Sequence, residues 1–198
     1  MFEGLRPAWE AFLQPIVKVL VAKKIRPDTL TIVGTLLVCL ASVWFIPLGW
    51  FWQAGLAIAI LTAFDSLDGA LARASDTASK WGAFLDATLD RIADAAIFGS
   101  LIFLVSGRGS WWELVIAIAA LPVAQVTSYV RARGQAEGFQ VASGFAGRAE
   151  RIVLVVLGLF GASFTDKLWP IMLSLAVIVV AGSITIAQRI AQVARQKA

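Results

Sequence analysis

The chain has 198 residues, of which 59% are hydrophobic and only 15% charged, with a mean hydropathy of +0.81; this excludes an ordinary soluble domain and requires a membrane protein. One cysteine, Cys39, and no histidine exclude an internal disulfide, a cysteine zinc site and a histidine base. Chemistry must therefore run on Asp, Glu, Arg, Lys and hydroxyls, and despite the net charge of +4 no nucleic-acid partner is expected.

The N-terminal MFEGLRPAWEAFLQP mixes acids with bases and reaches no apolar core or small-residue cleavage site, so it does not read as a signal peptide. From Ala8 to Lys24, Trp9, Phe12, Leu13, Ile16, Val17, Leu20 and Val21 recur at helical spacing, and Lys18, Lys23 and Lys24 take other faces. That pattern predicts an amphipathic helix lying in the membrane surface. Apolar runs of about 20 residues, long enough to cross the hydrocarbon core as helices, follow at 28–48, 51–73, 82–106, 111–133, 149–165 and 168–190. The expected fold is an all-α polytopic membrane protein, with a juxtamembrane segment over 1–27 and a six-helix transmembrane domain over 28–198.

Lys and Arg near span ends are kept on the cytoplasmic side. With six spans, the N-terminal segment, the loop with Arg73 and Lys80, the stretch from Arg131 to Arg151, and the tail with Arg189, Arg195 and Lys197 share one face. The other loops offer only Arg108 and Lys167, and there Trp50, Trp52, Trp111, Trp112 and Trp169 gather as an interfacial belt. Both termini are expected in the cytoplasm, and Arg195 and Lys197 are expected to touch lipid headgroups.

The stretch DSLDGALARASDTASKWGAFLDATLD, 65–90, places carboxylates at the cytoplasmic ends of spans two and three. Asp65 and Asp68 are i and i+3 neighbours, and Asp86 and Asp90 are i and i+4 neighbours, so each pair projects from one helix face. Four carboxylates in a low-dielectric site repel one another unless a cation lies between them. Hard divalent cations suit oxygen-only ligands, and a pair of them serves phosphoryl chemistry. Gly69 and Gly82 leave bare backbone for a ligand, and Arg73 is placed to meet an anionic phosphate. Asp76 solvates the loop, and Arg91 and Asp94 either join the site or pair to hold the bundle.

Together the residues spell Asp65-x2-Asp68-Gly69-x2-Ala72-Arg73-x8-Gly82-x3-Asp86-x3-Asp90, which resembles the signature of the CDP-alcohol phosphatidyltransferase family. The resemblance implies a six-helix membrane enzyme, a homodimer, that moves a phosphatidyl group from CDP-diacylglycerol to an alcohol and releases CMP. It implies that Asp65, Asp68, Asp86 and Asp90 hold two Mg2+ ions, with Mn2+ an acceptable substitute, and that Asp90 also serves as the base. Gly69 and Arg73 would face the nucleotide, as would Asp28 and Thr31 in RPDTLT.

Further along, Arg131 and Arg133 in SYVRARGQAEGF, Arg148 and Arg151 in GRAERI, and Arg189 in AQRI fall at cytoplasmic span ends. Topology alone also places basic residues there, but converging guanidiniums would bind an acceptor phosphate by bidentate hydrogen bonds. These segments are similar to those of the bacterial family members that use inositol 1-phosphate. Glycerol 3-phosphate and free inositol are the alternative acceptors, and a cation or proton transporter is the alternative from another class.

Overall fold

Eight helices and no strand are present among the described residues: α1 (Arg6–Ala22), α2 (Pro27–Leu48), α3 (Phe51–Phe64), α4 (Ser66–Ala74), α5 (Lys80–Arg108), α6 (Trp111–Ala136), α7 (Arg148–Thr165) and α8 (Trp169–Arg195). The computed structural model describes residues 6–141, 144 and 146–196, with side chains from Leu13 onward except that of Ser66. Trp9 and Phe12 of the predicted amphipathic stripe, and Lys197 of the tail, therefore lie outside the described side chains.

Four helical stretches, Pro27–Leu48, Phe51–Ala74, Trp111–Ala136 and Trp169–Arg195, are long and apolar enough to cross a membrane. The second is divided at Asp65 into α3 and α4. The third and fifth predicted spans are also helical, with 29 residues in α5 and 18 in α7. Each is charged toward its N-terminus, α5 by Asp86, Asp90, Arg91 and Asp94, and α7 by Arg148, Glu150 and Arg151. Apolarity alone therefore does not mark these two as spans.

Six helices close a ring in the order α2, α5, α6, α8, α7, α3 and back to α2. Its interior is filled by residues from every member, among them Ile46, Ile58, Ile97, Phe98, Ala124, Leu159 and Ile178. At one end the chain reverses tightly between α2 and α3. Gly49 takes the left-handed conformation, φ 77°, and its N–H and that of Trp50 donate to the carbonyls of Ile46 and Phe45, a Schellman ending that favours glycine. A Cβ on Gly49 would stand 3.0 Å from Arg108 Nη1, so the α2–α3 and α5–α6 turns meet at this end. Trp50, Trp52, Trp111, Trp112 and Trp169 are all exposed, as an interfacial belt requires.

Outside the ring, α1 lies on α4. Leu13 and Val17 close over Leu67 and Leu71, with Ile16 and Leu20 beside them, so part of the predicted lipid-facing stripe is covered by protein. Val21 stands apart from this stripe and is exposed. Lys18 is exposed as expected.

Candidate active site

The end of the ring opposite the tryptophans gathers the start of α2, all of α4, the start of α5, the end of α6, the start of α7 and the end of α8. Asp65 stands at the junction of α3 and α4, and Asp68 is in the first turn of α4. After a short turn, Ser79 caps α5 by accepting from the Gly82 N–H at 3.0 Å, which sets the register that brings Asp86 inward. Asp65, Asp68 and Asp86 are each half-buried and offer carboxylate oxygens within 4.8 Å of one another. Asp68 is oriented on both sides, accepting from the Thr31 hydroxyl and from the Gly69 N–H. A convergent set of anionic oxygens, with no nitrogen or sulfur among the donors, has the ligand chemistry that a hard divalent cation takes. Asp90 is not within that three-residue group: its Oδ1 lies 2.6 Å from Arg148 Nη1.

On one side of the carboxylates is a cavity of about 260 Å³ lined by Asp28, Thr31, Asp68, Gly69, Arg73, Gly82 and Asp86. The four residues expected to face a nucleotide thus meet in one place. Asp28 accepts from the Trp81 indole N–H at 3.2 Å, and a Cβ on Gly69 would stand 3.5 Å from Arg73 Nη1. The bare backbone of α4 therefore lies beneath the arginine that ends it.

On the other side is a cavity of about 650 Å³, lined among others by Asp90, Arg91, Gln125, Tyr129, Arg131, Arg148, Arg151 and Arg189. Its guanidiniums are held from behind. Asp94, which is fully buried, receives Arg148 Nε at 3.3 Å and Arg151 Nη2 at 3.2 Å, and Arg91 Nη2 lies 3.6 Å away. Arg151 also donates to the Ser128 hydroxyl at 3.1 Å and the Ala146 carbonyl at 3.2 Å, and Arg189 donates to the Thr127 carbonyl. Even so, Arg91 Nε and Nη1, Arg151 Nε and Arg189 Nε are buried with no hydrogen-bond partner among the described residues. Buried donors without partners are costly; they belong to three of the five arginines that line this cavity, and guanidiniums gathered in that number suit a multivalent anion.

Arg133 is the exception among the predicted arginines. It does not line this cavity; its side chain is 61% exposed and pairs with Glu137 one turn on. Two residues along a helix turn the side chain by about 200°, so Arg131 and Arg133 cannot face the same way. Sequence reasoning left Arg91 and Asp94 undecided and passed over Gln125 and Tyr129. Gln125, whose amide donates to the Arg91 carbonyl at 3.0 Å, carried a signal of its own: it is a lone amide within an apolar span.

Comparison with known proteins gives a consistent result. Residues 24–190 match the model of the CDP-alcohol phosphatidyltransferase family. A phosphatidylinositol phosphate synthase of Mycobacteroides abscessus is 36% identical over 186 residues, 93% of this chain and 84% of the relative. One of Cutibacterium acnes is 35% identical over 204 residues, covering 98% of each chain. The crystal structure of the Mycobacterium tuberculosis phosphatidylinositol phosphate synthase with CDP-DAG bound is similar with a TM-score of 0.85 at 31% identity, over 90% of this chain and 92% of that one. The same enzyme in complex with manganese and citrate also gives a TM-score of 0.85, over 90% and 87% of the two chains.

Proposed function

This chain belongs to the CDP-alcohol phosphatidyltransferase family, and from that premise we propose that it transfers the phosphatidyl group of CDP-diacylglycerol to inositol 1-phosphate, releasing CMP. It is a membrane-embedded transferase of phospholipid synthesis, and the finer reading is carried by the arginine cavity. Arg91, Arg131, Arg148, Arg151 and Arg189 line one cavity together with Asp90, a concentration of positive charge that a phosphorylated acceptor matches and a neutral polyol does not. The activity named for the curated relatives agrees with this acceptor.

In this reading Asp28, Thr31, Gly69 and Arg73 take the cytidine nucleotide. Asp65, Asp68, Asp86 and Asp90 hold two Mg2+ ions, for which Mn2+ substitutes; when bound, these neutralise charge on the diphosphate. Arg131, Arg148, Arg151 and Arg189 grip the acceptor phosphate by paired N–H donors. Asp90 takes the proton of the acceptor hydroxyl as its oxygen attacks the phosphorus next to the lipid in line with the departing CMP. A cavity of about 480 Å³ between α3 and α7, lined by Ala59, Thr62, Ile152 and Val156 with Arg148 at its head, suits an acyl chain leading away from that phosphorus. The six ring helices all span the cell membrane, the basic end faces the cytoplasm, and the enzyme works as a homodimer.

The test is CMP release by the purified protein with magnesium and CDP-diacylglycerol, comparing inositol 1-phosphate, glycerol 3-phosphate and free inositol, with Asp90→Asn as the blank. Release is expected with inositol 1-phosphate alone. Equal or greater release with glycerol 3-phosphate would discard this acceptor, and near-normal turnover in Asp90→Asn would remove Asp90 as the base.

A further inference from the structure

One buried hydroxyl on α8 reaches the arginine cavity from outside it. Thr185 is fully buried and does not line the cavity, but it lies one turn before Arg189 on the same helix face. Its hydroxyl donates to the Ala181 carbonyl at 2.8 Å and accepts from the Ala146 N–H at 3.2 Å. Ala146 directly precedes Gly147, the residue that caps α7 and lines the cavity. The Ala146 carbonyl in turn accepts from Arg151 Nη1 at 3.2 Å. A single residue of the α6–α7 connection is thus held at its N–H by Thr185 and holds a cavity guanidinium at its carbonyl. Packing joins the same parts: a Cβ on Gly144 would collide with the Thr185 methyl and stand 3.4 Å from Arg189 Nε.

We propose that Thr185 is a positioning residue for the acceptor phosphate: by fixing Ala146 it sets the carbonyl that orients the Arg151 guanidinium in the cavity. The inference rests on the phosphatidyl-transfer reading above and adds to it a residue that touches no reacting group. Arg151 is held from three elements. Asp94 on α5 and Ser128 on α6 both take Nη2, at 3.2 and 3.1 Å, and Ala146 is the one partner of Nη1 among the described residues. A planar guanidinium held only at Nη2 still turns about that nitrogen, whereas a second anchor at Nη1 sets its plane. Bidentate recognition of a phosphate depends on that plane. The Thr185 proton is committed to Ala181, which leaves its oxygen to accept from Ala146. Ala146 is only 4% exposed, so without this acceptor its N–H is buried and unsatisfied. The backbone then shifts to find another partner and carries the Ala146 carbonyl with it.

The experiment is steady-state CMP release by the full chain in detergent with magnesium, varying inositol 1-phosphate at saturating CDP-diacylglycerol and then the reverse. Thr185→Val keeps the shape of the side chain and removes the hydroxyl. It is expected to raise the KM for inositol 1-phosphate roughly tenfold, as weakening one hydrogen bond to a charged group does, with kcat and the KM for CDP-diacylglycerol unchanged. Thr185→Ser, which keeps the hydroxyl, is expected to retain the wild-type KM. Gln196 fastens the same connection at an exposed point, where its amide exchanges bonds of 2.8 and 2.7 Å with the Gln140 backbone; Gln196→Ala is expected to leave the acceptor KM where it is. A role in packing alone predicts a lower thermal midpoint and a smaller active fraction with both KM values unmoved, and that result in Thr185→Val overturns the proposal. So does an acceptor KM raised equally in Thr185→Ser or in Gln196→Ala. If Thr185→Val does not fold, Gly144→Ala carries the test: it should raise the acceptor KM by displacing the same backbone, and adding Thr185→Ser, which removes the methyl that the new side chain strikes, should lower it again. An acceptor KM that Gly144→Ala leaves unmoved, or that the added Thr185→Ser does not lower, overturns the proposal. Wild-type protein that releases CMP with glycerol 3-phosphate instead changes the acceptor, and the same comparison is then made with that one. Wild-type protein that uses no phosphorylated alcohol removes the reading itself, and this inference with it, before any variant is made.

Discussion

Asp94 is the fifth carboxylate of the site and the one most fully removed from solvent, with Arg91, Arg148 and Arg151 all within 3.6 Å. Removing its charge leaves buried guanidiniums uncompensated, which costs roughly 3–5 kcal/mol when a buried pair is broken on one side only. Asp94→Asn is therefore expected to lower the thermal midpoint strongly in detergent and to abolish CMP release, although no reacting atom touches Asp94. Arg133→Gln makes the opposite case. Its pair with Glu137 is solvent-exposed on both sides and such pairs are worth about 0–1 kcal/mol, so the thermal midpoint and the KM for the acceptor should stay where they are. A raised KM in Arg133→Gln would mean that the side chain reaches the acceptor in a way its position on α6 does not suggest. From sequence, Arg131 and Arg133 looked equivalent because both sit at the same span end; only the helical phase separates them.

The helix α4 carries Asp68, Gly69 and Arg73 on one side and rests Leu67 and Leu71 against α1 on the other. The N-terminal helix is thus a brace for the site. Leu71 is 0% exposed, and truncating a buried leucine typically costs 2–5 kcal/mol, set by how far the site collapses. Leu71→Ala should lower the thermal midpoint and weaken nucleotide binding together, whereas a change in stability with CDP-diacylglycerol affinity intact would separate α1 from the site. The contact between α7 and α8 is as tight: a Cβ on Gly158 would lie 2.7 Å from Ser174 Oγ and 3.1 Å from the Ile171 Cα. Gly158→Val must push backbone apart, a strain of typically 1–3 kcal/mol, and should show as a lower midpoint with unchanged substrate KM in the surviving fraction. The apolar runs announced the helices because their length and hydropathy are local properties. The partner of α1 was not announced, since an apolar stripe reads the same whether it faces lipid or Leu67 and Leu71.

Across the whole molecule, the closed ring brings chain segments as distant as Asp28 and Arg189 to one end, with the two cavities on either side of the carboxylates. The half of the site built on α4 and α5 was legible in the sequence, because its spacing is fixed within one helix–turn–helix unit and the fold has only to keep two neighbours adjacent. The arginine half was legible as charge at span ends and through the resemblance of its short segments to family members that use inositol 1-phosphate, not through a fixed spacing of its own. Its convergence depends on α6, α7 and α8 closing the ring, and the donors left without partners become visible only there. A cation held by Asp65, Asp68 and Asp86 would tie the α3–α4 junction to α5, and anything that binds only the folded state stabilises it by RT ln(1 + [L]/Kd), about 2.7 kcal/mol at a hundredfold excess over Kd. Mn2+ or Mg2+ should therefore raise the thermal midpoint of the chelator-treated protein, to a plateau that EDTA reverses. Asp68→Asn should lose most of that rise, because it removes a ligand that Thr31 and Gly69 orient. Arg133→Gln should keep the rise in full, since its ion pair lies away from both cavities. A midpoint that ignores the metal in wild type, or an Asp68→Asn protein that gains as much as wild type, would show that the three carboxylates are not the ligands.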